Sequence, residues 1–512
     1  MMSKINTICF SGIDVIKIDV EVHFAKGQPG ITIVGLGDKA VKESIERIRA
    51  SLNSLGIILP AQRITINLAP ADILKEGTHF DLPIMVGILS NMRQINDDLI
   101  KNHIVVGELG LDGSIRSING VLPAALYASE KNFGIICPED NGKEAAWAGK
   151  DVDIIAVKTV SQLIEYLKGQ IKIERPQIVK DDFINSSNKD MYDVKGQENA
   201  KQAMEIAAAG GHNILLVGPP GTGKSMLASR IITILPPLSI KEIIEVSKIS
   251  SISGLIKNGV LTSVRPFRAP HHTATQYSII GGGSKVKPGE ITLAHNGVLF
   301  LDELPEYQRS ALEALRQPME TGDISITRVN CKITYPAKFQ LIAAMNPCKC
   351  GFFGFENEKY KCRCTPKSRQ QYQNKISGPL LDRIDLHVKM DNVSYKFSDI
   401  NNSSFEGKQE TSATIKERVI RARELQAKRY ASEDFKINSH CPDGKALQEY
   451  CMPKDKECIA TLDEIGEKLN ISMRGIGKIV RVARTIADLE DSKEIKIEHI
   501  LKSALFRQKI MN

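Results

Sequence analysis

Hydrophobic positions along the chain recur with two periods. Ile31-Thr-Ile-Val-Gly35 and Ile64-Thr-Ile-Asn67 have the β-branched, alternating character of short strands. Between them, Val41, Ile45, Ile48, Leu52 and Leu55 fall at helical spacing, which predicts a helix over Lys39 to Leu55. Residues 168–195 then turn polar, with Gly169, Pro176 and Asn185-Ser-Ser-Asn188-Lys-Asp190, and read as a linker. Beyond it stand three continuous apolar runs: Asn213 to Val217, Gly297 to Leu301 and Phe339 to Met345. Runs of this kind belong to strands buried on both faces. Alternation from Thr321 to Thr334 predicts a β-hairpin ahead of the third run. A second polar break covers 393–411, including Asn401-Asn-Ser-Ser404. The remainder reads as helical. Ile415 to Arg429, for example, sets Ile415, Val419 and Ala422 against a charged face. No internal repeat of roughly 20–50 residues is present.

Length and composition narrow this further. At roughly 100–200 residues per domain, 512 residues predict three domains. Hydrophobic residues make up 42% and charged residues 25%. That balance excludes disordered, collagen-like and disulfide-scaffold proteins. No apolar run approaches the ~20 residues that span a bilayer. Met1 to Asp14 holds one Lys and no apolar block of the secretory kind, so the expected location is the cytoplasm, where thiols stay reduced. The net charge of +8 is compatible with a nucleic-acid partner without requiring one.

The chemistry is concentrated after the linker. Gly218-Pro219-Pro220-Gly221-Thr222-Gly223-Lys224-Ser225 fits the phosphate-binding pattern G-x-x-x-x-G-K-[ST], between an apolar strand and an apolar helix. Its glycines let backbone N–H groups turn toward phosphate oxygens, and the helix N-terminus adds favourable partial charge. Lys224 reaches the β- and γ-phosphates, and the Ser225 hydroxyl ligates Mg²⁺. The run ending Asp302-Glu303 supplies the other half. Asp302 holds Mg²⁺ through water, and Glu303 polarises the attacking water, which points to hydrolysis rather than binding alone. Asn346 ends the third run, where an amide can orient that water or merely begin a turn.

Together these motifs look like an AAA+ ATPase module. Arg265-Pro-Phe-Arg-Ala-Pro-His271-His272, Pro288-Gly-Glu-Ile-Thr-Leu-Ala-His295-Asn296-Gly297 and Ser377-Gly-Pro-Leu-Leu-Asp382-Arg383-Ile-Asp385 resemble its magnesium-chelatase-like branch, and within it the YifB/ComM family of competence-associated ATPases. The resemblance runs along almost the whole chain. It implies an α/β protein in three parts. Residues 1–170 form a Lon-protease-like (ribosomal S5 domain 2-like) α+β domain, joined by a linker over 171–192 to an AAA+ core over 193–392. A helical lid over 393–512 follows. It implies ATP as substrate, Mg²⁺, a homo-oligomeric ring of six, DNA as partner and no membrane. Arg383 aligns with an arginine finger that reaches the neighbouring subunit's site. Arg474, in Ser472-Met-Arg474-Gly, aligns with the sensor-2 arginine, and Gln197 lies where such ATPases contact adenine. In the first domain the protease Ser position holds His79 and the Lys position holds Leu122. A nucleophile and its base are thus both missing, so no proteolysis is expected.

Two features lie outside that core chemistry. Cys348-Lys-Cys350 and Cys362-Arg-Cys364, within a loop over 348–364, offer four thiolates for a tetrahedral Zn²⁺ site. Unligated thiols and a redox switch are the other readings. For the motor's substrate, one candidate is the segment from about Ser250 to Lys287 with Arg265, Arg268, His271, His272 and Gly281-Gly-Gly283. The other is the hairpin carrying Arg328 and Lys332. Arg328, Lys285 and Lys287 are candidates for sequence-independent phosphate contacts. The resemblance points to branch migration or unwinding of DNA in recombination. The rival readings are a chelatase-type protein-remodelling motor and a slowly turning nucleotide-gated scaffold.

Overall fold

The computed structural model describes residues 2–178, 189–283, 286–328, 331–355, 361–391 and 409–507. Linker residues 179–188, Lys285, the break around Asn401 and the side chain of Arg328 lie outside them.

The first region is built on a seven-stranded mixed sheet. Its order is Gly30–Val34, Arg63–Ala69, Asp14–Ala25, Met2–Ser11, His103–Val105, Gly134–Pro138 and Ile154–Val157. The first strands alternate as expected: Ile64, Ile66 and Leu68 point into the core while their neighbours do not. The helix Lys39–Ser54 starts on Asp38, whose carboxylate accepts from the Val41 N–H, and buries Val41, Ile48 and Leu52. With the almost wholly buried helix Asp81–Asn91 it forms the core on one face of the sheet. Helix Val121–Glu130 forms a second core on the other face.

The second region holds five parallel strands in the order Phe267–Arg268, Val298–Leu301, Gln340–Met345, Ile214–Val217, Leu386–Lys389. The three apolar runs are the middle strands, and each is buried along its length. Helices Ser412–Arg429 and Met473–Leu489 pack against helix Glu198–Gly210. Ile415, Val419, Ala422, Val482 and Ile486 therefore join the same apolar core as strand Ile214–Val217. The C-terminal helices share the second region's interior as well as one of their own around Leu462 and Ile479. Arg418 is consumed by Glu205 and Glu410, and Arg423 by the Ala208 carbonyl. Part of the charged side of Ser412–Arg429 is thus spent on packing, while Glu417, Arg421, Glu424 and Lys428 stay exposed.

The first region is docked on the second. Buried Glu144 accepts from the Leu122 N–H at 3.1 Å and from the Ser251 hydroxyl at the end of helix Ile240–Ile252. The indole N–H of Trp147 donates to the Gly259 carbonyl at 3.0 Å. A Cβ at Gly259 (φ 71°) would meet Lys143 Cβ at 2.5 Å and the Glu144 nitrogen at 2.8 Å, so only glycine fits this approach. Gly259→Val is expected to prise the regions apart. The emission of Trp147, the sole tryptophan, should move to longer wavelength in native protein. Stability in urea should fall by about 1–3 kcal/mol. An unmoved emission maximum at unchanged stability would show that this contact does not hold the regions together.

Candidate nucleotide site

Parallel pairing brings three strand ends into line. Val217 is opposite Met345, and Leu301 opposite Ala343. The residues that follow, Gly218, Asp302 and Asn346, therefore gather at the C-terminal edge of the sheet, where open α/β sheets bind ligands. Gly221 and Gly223 take φ values of 81° and 85°, the left-handed turns that let the loop wrap into helix Lys224–Ile234. Thr222 braces the loop by donating from its hydroxyl to the Pro219 carbonyl at 2.9 Å. Pro220 stands against the cysteine loop, where a Cβ on Gly351 would lie 2.6 Å from its Cδ.

Lys224 is only 9% exposed. Its ammonium donates to the carbonyls of Gly218 and Pro219, both at 2.8 Å, and to the Asn346 side-chain oxygen at 3.1 Å. The Ser225 hydroxyl donates to Asp302 at 2.5 Å. This paired hydroxyl and carboxylate is an all-oxygen donor set of the kind a hard divalent cation takes. Glu303 adopts φ 51°, a strained conformation for a non-glycine residue. Its carboxylate meets His272 Nδ1 at 3.1 Å. Gln197 donates to the carbonyls of Asp391 at 2.6 Å and Thr222 at 3.5 Å, so it sits against the phosphate loop's backbone.

The two remaining arginines do not join this cluster within one chain. Arg383 precedes strand Leu386–Lys389, whose first residue pairs with Ile214, the first of the strand leading to the loop. A four-residue strand spans roughly 13 Å, and Arg383 lies at its far end. Arg474 is exposed in the first turn of helix Met473–Leu489. One turn on, Lys478 pairs with Asp385 at 2.8 Å, which ties this helix to the same far end.

The four sulfurs of Cys348, Cys350, Cys362 and Cys364 lie within 4.8 Å of one another. Three of their separations are 3.3, 3.6 and 3.8 Å. A tetrahedral site with Zn–S near 2.3 Å has S···S edges of about 3.8 Å, so the cluster matches that donor set. All the described cysteines are free thiols.

Residues 190–397 match the family described as magnesium chelatase, subunit ChlI. Residues 20–141 and 409–507 match the subunit ChlI and ChlI C-terminal families. Competence protein ComM of Haemophilus influenzae is 42% identical over 97% of this chain and 95% of its own. An uncharacterized protein YifB of Salmonella typhimurium is 41% identical over 99% of this chain and 97% of its own. The chain belongs to the ComM/YifB family. Its ATPase module is of the magnesium-chelatase kind, a mixed α/β unit with a parallel sheet. A weaker likeness, 26% over 37% of this chain and 18% of the relative, reaches the DNA replication licensing factor mcm6 of Dictyostelium discoideum.

Several sequence-based expectations change. Arg265 and Arg268 are not free to meet DNA. Arg265 is spent on Glu242 and the Pro236 and Asn296 carbonyls, and Arg268 forms a two-point pair with Glu290. Phe267–Arg268 is itself the sheet's edge strand rather than part of a loop. His272, read as a substrate contact, instead faces Glu303, 31 positions away in sequence, and no local pattern signals that pairing. His79 is buried, with its Nε2 2.9 Å from the Ile8 carbonyl. Burial drives it down to about 4, so it is a neutral packing residue at pH 7. Leu122 is buried in helix Val121–Glu130 and is itself no base.

Burial also pushes the Lys224 ammonium down to about 8, against the opposing pull of Asp302 and Glu303. Its unfolded value is 10.5, so the folded protein holds fewer protons between those two values and stability from this group rises with pH across that window. A bound polyphosphate restores the charge. Nucleotide binding at pH 8 is therefore expected to take up about half a proton. Titration calorimetry in two buffers of different ionisation enthalpy measures this, and Lys224→Arg should abolish it. Equal heats in both buffers for the unaltered protein would show that Lys224 does not meet the phosphates.

Proposed function

We propose that the protein is a ring-forming, Mg²⁺-dependent ATP hydrolase that moves DNA, with branch migration or unwinding during recombination of incoming DNA as its work. The observation that carries hydrolysis is the convergence of Lys224, Ser225, Asp302, Glu303 and Asn346 on one sheet edge. The loop amides and Lys224 bind and orient the triphosphate. Ser225 and Asp302 would hold Mg²⁺, which supplies charge neutralisation on the β- and γ-phosphates. Glu303 accepts a proton from the attacking water, and Asn346, beside Lys224, orients that water toward the γ-phosphate. Gln197, against the loop backbone, is placed to read the base.

Arg383, at the far end of the sheet, reaches the neighbouring protomer's nucleotide in a ring and stabilises charge on its γ-phosphate, while Arg474 in the lid contacts phosphate and reports the nucleotide state. DNA as substrate is supported by the competence relative, by the licensing-factor likeness and by the exposed hairpin Asp323–Arg328 and Cys331–Pro336 carrying Lys332. Lys287 is exposed on the short strand Lys287–Pro288 nearby. The domain at 1–170 is Lon-like and non-proteolytic, 393–512 acts as the lid, and the four cysteines hold a structural Zn²⁺ that stiffens the loop behind Pro220. The chelatase descriptions favour a second reading, in which a protein partner rather than DNA stimulates turnover.

Lys224→Ala and Arg383→Ala are each expected to lose ATP turnover by about 10³-fold or more, while their mixture regains part of it because mixed rings contain intact sites. Failure of mixing to restore any turnover would remove the shared site. Forked or four-way-junction DNA should stimulate turnover and lose that effect with rising salt. Indifference to every DNA form, with stimulation by a protein partner, would favour the second reading. Elemental analysis should find one zinc per chain, lost in Cys362→Ser; metal well below that ratio would end the zinc assignment.

A further inference from the structure

Arg383 is held in place by its own protomer. Its Nε donates to the Arg316 carbonyl at 3.2 Å, its Nη1 to the Pro379 carbonyl at 2.7 Å, and its Nη2 pairs with the carboxylate of Glu320. The side chain is only 16% exposed, whereas that of Glu320 is 53% exposed. A partly solvated ion pair of this sort is easily broken. The two carbonyl contacts belong to the fixed backbone. Among the described residues, the carboxylate is the one partner on a side chain that can move away.

Glu320 also belongs to a second structure. It lies in the single helical turn Pro318–Thr321, which is fastened to the base of the hairpin. The Thr321 hydroxyl bonds the Gln317 carbonyl at 3.2 Å and the Asp323 carbonyl at 3.0 Å. The Gly322 N–H donates to the Pro318 carbonyl at 2.9 Å, and the Ala337 N–H donates to the Gly322 carbonyl at 2.7 Å. The hairpin therefore cannot tilt at its base without carrying Glu320. Its second strand is braced by the first region: a Cβ on Gly12 would lie 2.8 Å from Ile333 Cγ2 and 3.2 Å from the Thr334 carbonyl. The hairpin is thus set between the N-terminal region and the carboxylate that grips Arg383.

We infer that Glu320 is a positioning residue for Arg383: it keeps the guanidinium stowed on its own protomer until a polyanion drawn onto the hairpin strands Asp323–Arg328 and Cys331–Pro336 pulls the turn Pro318–Thr321 away and frees it for the neighbour. This rests on the shared-site reading above, with DNA as the polyanion. It makes turnover in one subunit answer to substrate held by the next.

The test uses the full-length protein, with forked DNA as the probe. In Glu320→Gln the carboxylate charge is lost while size and hydrogen-bonding capacity are retained. Its DNA-free kcat is expected to rise by about three- to fivefold, the shift available to a partly exposed ion pair. KM for ATP should stay unchanged, and added DNA should bring little further increase. Glu320→Ala should do the same, which guards against an effect peculiar to one variant. Glu320→Asp should restore both low basal turnover and stimulation, a rescue that a purely structural role would not give. Unchanged basal turnover and stimulation in Glu320→Gln would overturn the inference, and so would a fall to the level of Arg383→Ala. Arg383→Ala itself should stay low with and without DNA. Full turnover in that variant would sink the shared-site reading and this inference with it, whereas a wild-type Glu320→Gln beside an inactive Arg383→Ala would sink the inference alone.

Discussion

The register of the parallel sheet is the constraint on which the site depends. Strand Gln340–Met345 pairs with Ile214–Val217 on one side and with Val298–Leu301 on the other. That places the phosphate loop, the acidic pair and Asn346 within reach of one another. A slip of one residue would turn every side chain of a strand to the opposite face. All three strands are buried along their length, so such a slip would also bury the wrong groups. The apolar core and the geometry of this cluster are fixed by the same ladder.

The same sheet separates two sets of groups. Its C-terminal edge collects the glycine-rich loop, Asp302, Glu303 and Asn346, while Arg383 and Lys478 are tied to its N-terminal edge. A four-residue strand is short, yet its length exceeds what an arginine side chain can bridge while anchored at the far end. Pairing through Asp385 also fixes the C-terminal helices there. Burial and the neighbouring Lys478 ammonium, with buried His212 beside it, act on that carboxylate in opposite senses, and the lowering wins, so it stays ionised. The C-terminal helices are thereby held by a charge pair in a dry place, where breaking one partner is costly.

Around this core the N-terminal region touches two separate parts of the second region. Glu144 and Trp147 grip helix Ile240–Ile252 and the loop after it. The turn at Gly12 rests on the hairpin strand Cys331–Pro336. The N-terminal region's own His79 and Leu122 are buried in its interior.

Much was legible in the residues themselves. Continuous apolar runs, the glycine spacing before Lys224 and the Asp302-Glu303 ending announce a nucleotide site because strand burial and phosphate geometry act over a few neighbouring positions. The clustering of Cys348, Cys350, Cys362 and Cys364 is visible for the same reason. What the tertiary structure alone decided are the long-range meetings: His272 against Glu303, Arg268 consumed by Glu290, Arg383 gripped by Glu320, and Trp147 seated on Gly259. A basic residue in a sequence carries the same charge whether it is spent in an ion pair or free for a ligand. Only the packing that sets its distance from a carboxylate tells the two apart.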